Sequence, residues 1–283
     1  MISRRSVMAA GAAMSLLARG AAAQGQAVKP PTLEALTRPP AVLGAAMSPD
    51  GETIAMLQEQ WDGTKRAAFI SLIKAGDPES RPLRLSLGDR EVQSIRWATN
   101  SRLLVSVLMK RESKTRDTGT YMSRKVTSYS ERMMAIDADG SNPVLMFNGQ
   151  TDVLQTDPEL ANIIDMLPGD PQHILMRGWD PRAGMYALHK VDITTGKTTQ
   201  IDRSGPDTIN WHVQDGRAVL RWDALNRNTL MLYARAPGTD SWTFVRNVRP
   251  KTELWNADFE VIGATSEPGI FLAMAREGDE QAM

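Results

Sequence analysis

The 283-residue chain contains no cysteine. That absence removes disulfides, thiolate metal sites and a cysteine nucleophile together. The nucleophile elbow of α/β-hydrolases is missing too. None of the 21 glycines is followed two positions later by Ser, so G-x-S-x-G cannot form anywhere. Net charge is absent, with 33 Lys and Arg against 33 Asp and Glu. No basic footprint for nucleic acid exists. The longest apolar run near the start, Val7 to Leu17, falls short of the roughly 20 residues a stable membrane span needs.

What is present is a repeated turn. Ala45 to Leu57 reads as a short apolar strand, a Ser48-Pro49-Asp50-Gly51 turn and a second strand. Pro presets the backbone of such a turn, Asp bonds to it locally and Gly takes the positive φ that closes it. The same grammar returns at Asn100-Ser101, Pro168-Gly169-Asp170-Pro171, Asp215-Gly216 and Glu267-Pro268-Gly269, each followed by an apolar strand. From Asp50 to Asn100, Asp170, Asp215 and Pro268 the steps are 50, 70, 45 and 53 residues. A four-stranded unit repeating every roughly 40–50 residues is the pattern of a β-propeller blade. The fold class expected is all-β, a propeller of four to five four-stranded blades forming an incomplete ring.

Residues 1–23 read as a twin-arginine signal peptide: Arg4-Arg5 opens the apolar run, and Ala21-Ala22-Ala23 offers small residues for cleavage. The expected location is periplasmic or secreted. Removing Arg4, Arg5 and Arg19 leaves 30 basic against 33 acidic residues, a net charge of −3. Residues 24–40 hold Pro30-Pro31 and Pro39-Pro40 and form a Pro-rich lead-in, since Pro cannot donate to a sheet ladder. The partial propeller then runs over 41–283, with blades at 41–90, 91–150, 163–204 and 205–250 and an incomplete one at 257–283. The polar tail from Glu277 to Met283 falls where a hairpin into a third strand is due, so the chain reads as cut short.

Blade two carries one interruption. Arg111 to Ser130 holds eight Ser or Thr, five Lys or Arg and two acidic residues. A polar tract of this length inside a repeat maps to a loop or an extended hairpin on one face, with strand character resuming at Arg132. Thr151 to Asp165 has helical flavour and links blades two and three.

Candidate chemistry is sparse. His173, His189 and His212 read as falling in different blades, without the convergent spacing a zinc site needs. Thr195-Gly196-Lys197-Thr198 resembles the end of a phosphate loop, but Val191 stands where its first Gly would be, so a hairpin turn is expected. Trp61-Asp62, Trp179-Asp180 and Trp222-Asp223 lack the spacing and Gly-His partner of WD repeats. They read as inter-blade packing followed by a turn-forming Asp, placed after the second strand of a blade. No catalytic, cofactor-binding or metal-ligating residue is assigned, and no cofactor is expected.

Three stretches carry a family resemblance: Ser48-Pro49-Asp50-Gly51-Glu52-Thr53-Ile54-Ala55; Ile95-Arg96-Trp97 with Arg102-Leu103-Leu104-Val105; and Asp165-Met166-Leu167-Pro168-Gly169-Asp170-Pro171. With them, residues 30–283 resemble the N-terminal propeller of S9-type, prolyl oligopeptidase-like serine peptidases. The resemblance implies a partner absent from this sequence, an α/β-hydrolase domain carrying Ser, Asp and His, with peptides as substrates of the intact enzyme and the propeller limiting their access. The chain alone is then expected to be inactive. TolB-like exported propellers share the Ser-Pro-Asp-Gly turns, so the alternative is a non-catalytic propeller that binds a protein or envelope partner.

Overall fold

The computed structural model describes residues 40–61, 66–77, 79–88, 90–116, 123–203, 205–250, 257–277 and 280–282. The expected signal segment and all of the lead-in except Pro40 lie outside them. The compact unit Ala41–Met283 contains every sheet.

Five antiparallel meanders follow one another along the chain. The first is β1 (Gly44–Met47), β2 (Thr53–Trp61), β3 (Arg66–Lys74) and β4 (Leu83–Ser86). The second is β5 (Glu91–Thr99), β6 (Arg102–Arg116), β7 (Ser123–Asp137) and β8 (Val144–Leu145). A short helix, α1 (Thr151–Thr156), and β9 (Glu159–Leu160), parallel to β7, lead out of it. The third blade is β10 (Ile163–Asp165), β11 (His173–Asp180), β12 (Met185–Asp192) and β13 (Thr198–Asp202). The fourth is β14 (Thr208–Gln214), β15 (Arg217–Asn226), β16 (Thr229–Ala234) and β17 (Thr243–Val248). The fifth is β18 (Phe259–Ala264), β19 (Phe271–Glu277) and β20 (Glu280–Ala282). Strand order within each follows the sequence. First strands of neighbouring blades pack together, β1 on β5, β10 on β14 and β14 on β18. This is a β-propeller whose ring is not closed.

The sheets form because their cores lie between blades. Successive side chains of a strand point to opposite faces, and here both faces are covered. In β6, Leu103, Val105 and Val107 join Leu57, Ile70, Leu72 and Leu85 of the first blade, while Leu104 turns the other way toward Met133, Phe147, Ile174 and Met176. Leu175 of β11 faces Trp211 and Val213 of the fourth blade, and Trp222 faces Val261 of the fifth. Unbroken runs such as Leu103-Leu104-Val105 therefore bury every residue. Each such side chain contributes about 1.5–3 kcal/mol on burial.

The recurrent turns have a second use. At Ser48-Pro49-Asp50-Gly51 the Ser48 hydroxyl donates to Asp50 Oδ1 (2.5 Å) and accepts from the Thr53 amide (2.9 Å). Asp50 Oδ1 also accepts from the Glu52 amide (3.0 Å), and Gly51 sits at φ 75°. These donors hold the Asp50 carboxyl below its ordinary range, the Ser48 bond having the largest effect. The Asp50 amide then reaches across to Asn100 Oδ1 in the corresponding turn of the second blade (3.1 Å). Gln214 does the same between the fourth and fifth blades. Its amide donates to the Thr265 and Glu267 carbonyls (3.1 and 2.8 Å) and its Oε1 accepts from the Gly269 amide (2.7 Å).

Several sequence expectations are corrected. His173 and His189 stand on adjacent strands of one blade, the third, because β11 and β12 are hairpin partners. The 111–130 tract takes the extended-hairpin form of the two expected: β6 and β7 pair without a break from Arg102 opposite Asp137 to Arg116 opposite Ser123, so strand resumes at Ser123 rather than at Arg132. Polar composition left loop and hairpin open, since ladder hydrogen bonds do not depend on side-chain polarity. In the polar tail Glu277 still belongs to β19, and Glu280–Ala282 form β20, a third strand paired with β19. Trp222-Asp223 lies inside β15 rather than after it. Asp223 makes no turn: it is buried and accepts from Thr208 Oγ1 (2.7 Å) and Arg221 (3.0 Å). Trp179-Asp180 does end β11, and Asp180 Oδ1 accepts the Arg182 and Ala183 amides of the following turn. Trp61 ends β2, and Asp62 lies outside the described residues.

Thr195-Gly196 forms the β12–β13 turn at the seam with the second blade. The Asn148 amide donates to the Gly196 carbonyl (2.9 Å). A Cβ at Gly196 would land on the Leu145 carbonyl oxygen, and the residue is at φ 71°. Gly51→Ala should cost about 1–2 kcal/mol, from positive φ alone. Gly196→Ala should cost more, because a backbone contact must also open. Urea unfolding of both variants checks this ordering; equal losses would show that the seam relaxes freely.

Candidate functional site

The first-to-second-strand turns of the third, fourth and fifth blades contribute to one cleft of about 800 Å³. Its wall includes Asp170, Lys190, Asp202, Gln214, Arg235 and Thr265. Two polar groupings dominate it.

In the first, Asp170 follows the Leu167-Pro168-Gly169 turn. Its carboxylate lies 2.9 Å from His173 Nδ1 and 2.6 Å from Lys190 Nζ. Hydrogen bonds from Lys190 and then His173 lower the Asp170 carboxyl from 3.8 to about 2. A carboxylate so engaged is a poor general base near neutrality. In the second, Asp202 of β13 pairs with Arg235 after β16 at 2.9 Å, both side chains nearly buried. The Arg235 guanidinium stacks on Trp242 (4.0 Å to the ring centroid), and Arg221 lies against Trp242 and Tyr233 (5.1 and 4.4 Å). Desolvated ion pairs and cation–π contacts of this kind fix a wall in place.

None of the three histidines weighed from the sequence lines the cleft, and His173 touches it only through its bond to Asp170. His189 lines a different cavity, and His212 packs on Trp222 and Phe271. Thr195-Gly196 serves the seam described above. Among the described residues no group of three or more His, Asp or Glu is placed to hold a metal ion. Sequence reading missed Lys190 and Arg235. Asp170 was legible only as a turn former, and Lys190 reaches it because β12 is registered on β11, with Leu175 opposite Lys190. Paired charges, backbone turns and no nucleophile–base couple make this a surface that can bind.

No family model matches the chain, and no curated protein sequence does. Among solved structures it is similar to a prolyl endopeptidase described for the role of inter-domain dynamics in catalysis and specificity. The identity is 12% and the TM-score 0.33, covering 82% of this chain and 39% of that one. It is similar to the AtxE2 isopeptidase, at 12% identity and TM-score 0.26, covering 72% and 33%. It is also similar to the β-propeller domain of the Trilobed protease from Pyrococcus furiosus, described as having an open velcro topology. There the values are 12% and 0.32, covering 84% and 79%. The chain spans about two-fifths of the length of the first of these. Likeness at this level assigns no residue and no activity.

The Asp170 grouping sets a pH dependence. Its folded-state pKa is depressed, so the stabilisation is fully present above about pH 4 and is lost as pH falls through about 2. Asp170→Asn should therefore flatten the acid limb of the melting temperature between pH 4 and 2 while changing little of its slope near pH 7. An unchanged acid limb would show that the Lys190 and His173 contacts are not formed in solution.

Proposed function

We propose that this chain is the propeller portion of an exported S9-type serine peptidase. It narrows the approach of peptides to an α/β-hydrolase domain and supplies no catalytic residue of its own. The observation that carries this reading is the use made of the resembling motifs. The Ser-Pro-Asp-Gly turn of the first blade and the Leu-Pro-Gly-Asp-Pro turn of the third belong to two of the three stretches on which the family resemblance rests. In the fold both join the first and second strands of a blade; one bonds to the neighbouring blade, and the other contributes to the cleft wall. Such a face suits an accessory surface that admits and holds extended chains. The lack of a G-x-S-x-G elbow in this sequence supports a reading in which acyl-enzyme chemistry belongs to another domain. Arg4-Arg5, the apolar run behind it and Ala21-Ala22-Ala23 support the export part of this reading.

Two measurements test the proposal. The pure chain should not react with a fluorophosphonate probe, and the reading frame beyond Met283 should encode a G-x-S-x-G elbow followed by Asp and His. A stop codon there, or a labelled serine in this chain, would overturn the assignment; the first result would leave either a decayed remnant, if the pure chain aggregates, or a free-standing binding propeller, if it is a folded monomer. For export, replacing Arg4-Arg5 by Lys-Lys should retain a fused reporter in the cytoplasm. Unimpaired export of that variant would exclude the twin-arginine route.

A further inference from the structure

The third blade borders a second cavity, of about 470 Å³, that shares no lining residue with the cleft. Gln150, Thr151 and Asp152 at the start of α1 form one side, and Asp180, His189 and Gln200 of the third blade contribute to the other. His189 is only 4% exposed. Neither of its ring nitrogens has a hydrogen-bond partner, while the ring packs edge-on against Phe147 at 5.2 Å. A buried polar ring left unanswered carries its full desolvation penalty, and native proteins rarely tolerate this without a reason.

The surroundings limit what could answer it. Burial, with a smaller push in the same direction from Arg203, outweighs the opposing influence of Asp180 and lowers the ring to about 4. The imidazole is therefore neutral near pH 7 and offers one N–H donor and one lone pair. The formal charges nearby cancel in pairs, Arg182 with Asp152 at 2.7 Å and Arg203 with Asp180 at 2.7 Å. That leaves no net charge to attract an ion. The Thr151 hydroxyl and the Gln200 amide nitrogen have no hydrogen-bond partner among the described residues, and Asp152 Oδ1 is likewise open.

We propose that this cavity binds an uncharged, hydroxyl-rich ligand of about one or two sugar rings, within the size range of small-molecule pockets, one hydroxyl of which pairs with His189. A hydroxyl donates and accepts through a single atom. It can therefore meet an imidazole, a threonine, an amide and a carboxylate oxygen in turn, whereas a peptide group splits the two functions between separate atoms. Gln200 lines the cavity beside the ring. It stands opposite His189 in the ladder, beside a register shift between Leu188 and His189, and its side chain is exposed.

The test follows the His189 ring nitrogens by NMR in the full chain during titration with glucose, maltose and N-acetylglucosamine. A saturable shift with at least one sugar is expected, with no binding by His189→Leu. Without ligand, His189→Leu should melt at the same temperature or higher, because an apolar side chain removes an unsatisfied polar group. Thr151→Val should keep the fold and weaken affinity about three- to tenfold. This variant and the ring titration decide the matter even where His189→Leu does not fold. No shift with any of the three sugars overturns the proposal. So does a shift produced by triglycine amide and by no sugar, or unchanged affinity in Thr151→Val.

Discussion

Everything in this molecule depends on one constraint: a blade cannot bury its apolar residues alone. A four-stranded meander has two faces, and β6 and β11 carry apolar side chains on both. Each hydrophobic cluster therefore draws on two neighbouring blades, so stability is largely a property of seams, as in other repeat architectures. Polar links then fix how each seam is set. Trp97 Nε1 donates to the Ala46 carbonyl between the first and second blades (3.0 Å). Arg102 Nε donates to Ile193 between the second and third (2.9 Å), and Arg177 to Ile209 between the third and fourth (2.7 Å). Gln214 serves the fourth and fifth. A hydrophobic seam alone would allow sliding; these directional bonds specify one register. At the far side of the fifth blade, Ile262 and Leu272 remain half-exposed, and Met47 of the first blade is more exposed still.

How much of this was legible in the sequence depends on the range of the interaction. The turns were legible because Ser48, Asp50 and Gly51 act within six residues of one another, and the chemistry that closes such a turn is written in adjacent letters. Hairpins that follow those turns came with them. The β6–β7 extension was not fully legible, because Arg, Ser, Thr and Lys suit a solvated strand and a loop alike. Placing His173 and His189 in different blades failed for a related reason: blade membership follows from hairpin pairing, and the separation of 16 residues says nothing by itself about which turn lies between. The inter-blade arginines were invisible. Nothing near Arg102 in sequence marks Ile193 as its acceptor 91 residues away.

The cleft repeats the lesson at the level of a site. Asp170, His173 and Lys190 form a compact polar grouping, yet only the first two are neighbours in sequence. Asp202 and Arg235 meet because two blades do. Their charges are engaged with each other, which makes the wall rigid and withholds reactive groups from it. Satisfied charges and backbone turns thus hold the wall in one arrangement.

Two buried polar residues at the seam of the second and third blades, Arg102 and His189, make the sharpest contrast. Arg102 is nearly inaccessible, but its guanidinium meets Asp137, the Asn142 carbonyl and the Ile193 carbonyl. Each of its three nitrogens has a partner, and the residue behaves as a structural bolt. His189 is as deeply buried and has no answer at either nitrogen. Both lie at the same seam, under the same requirement for close packing, so burial alone does not explain the difference. An apolar residue would fill the His189 position beside Phe147 and Gly178 without the penalty. Where the rest of a sequence is locally consistent, a retained conflict of this kind points to use rather than to folding.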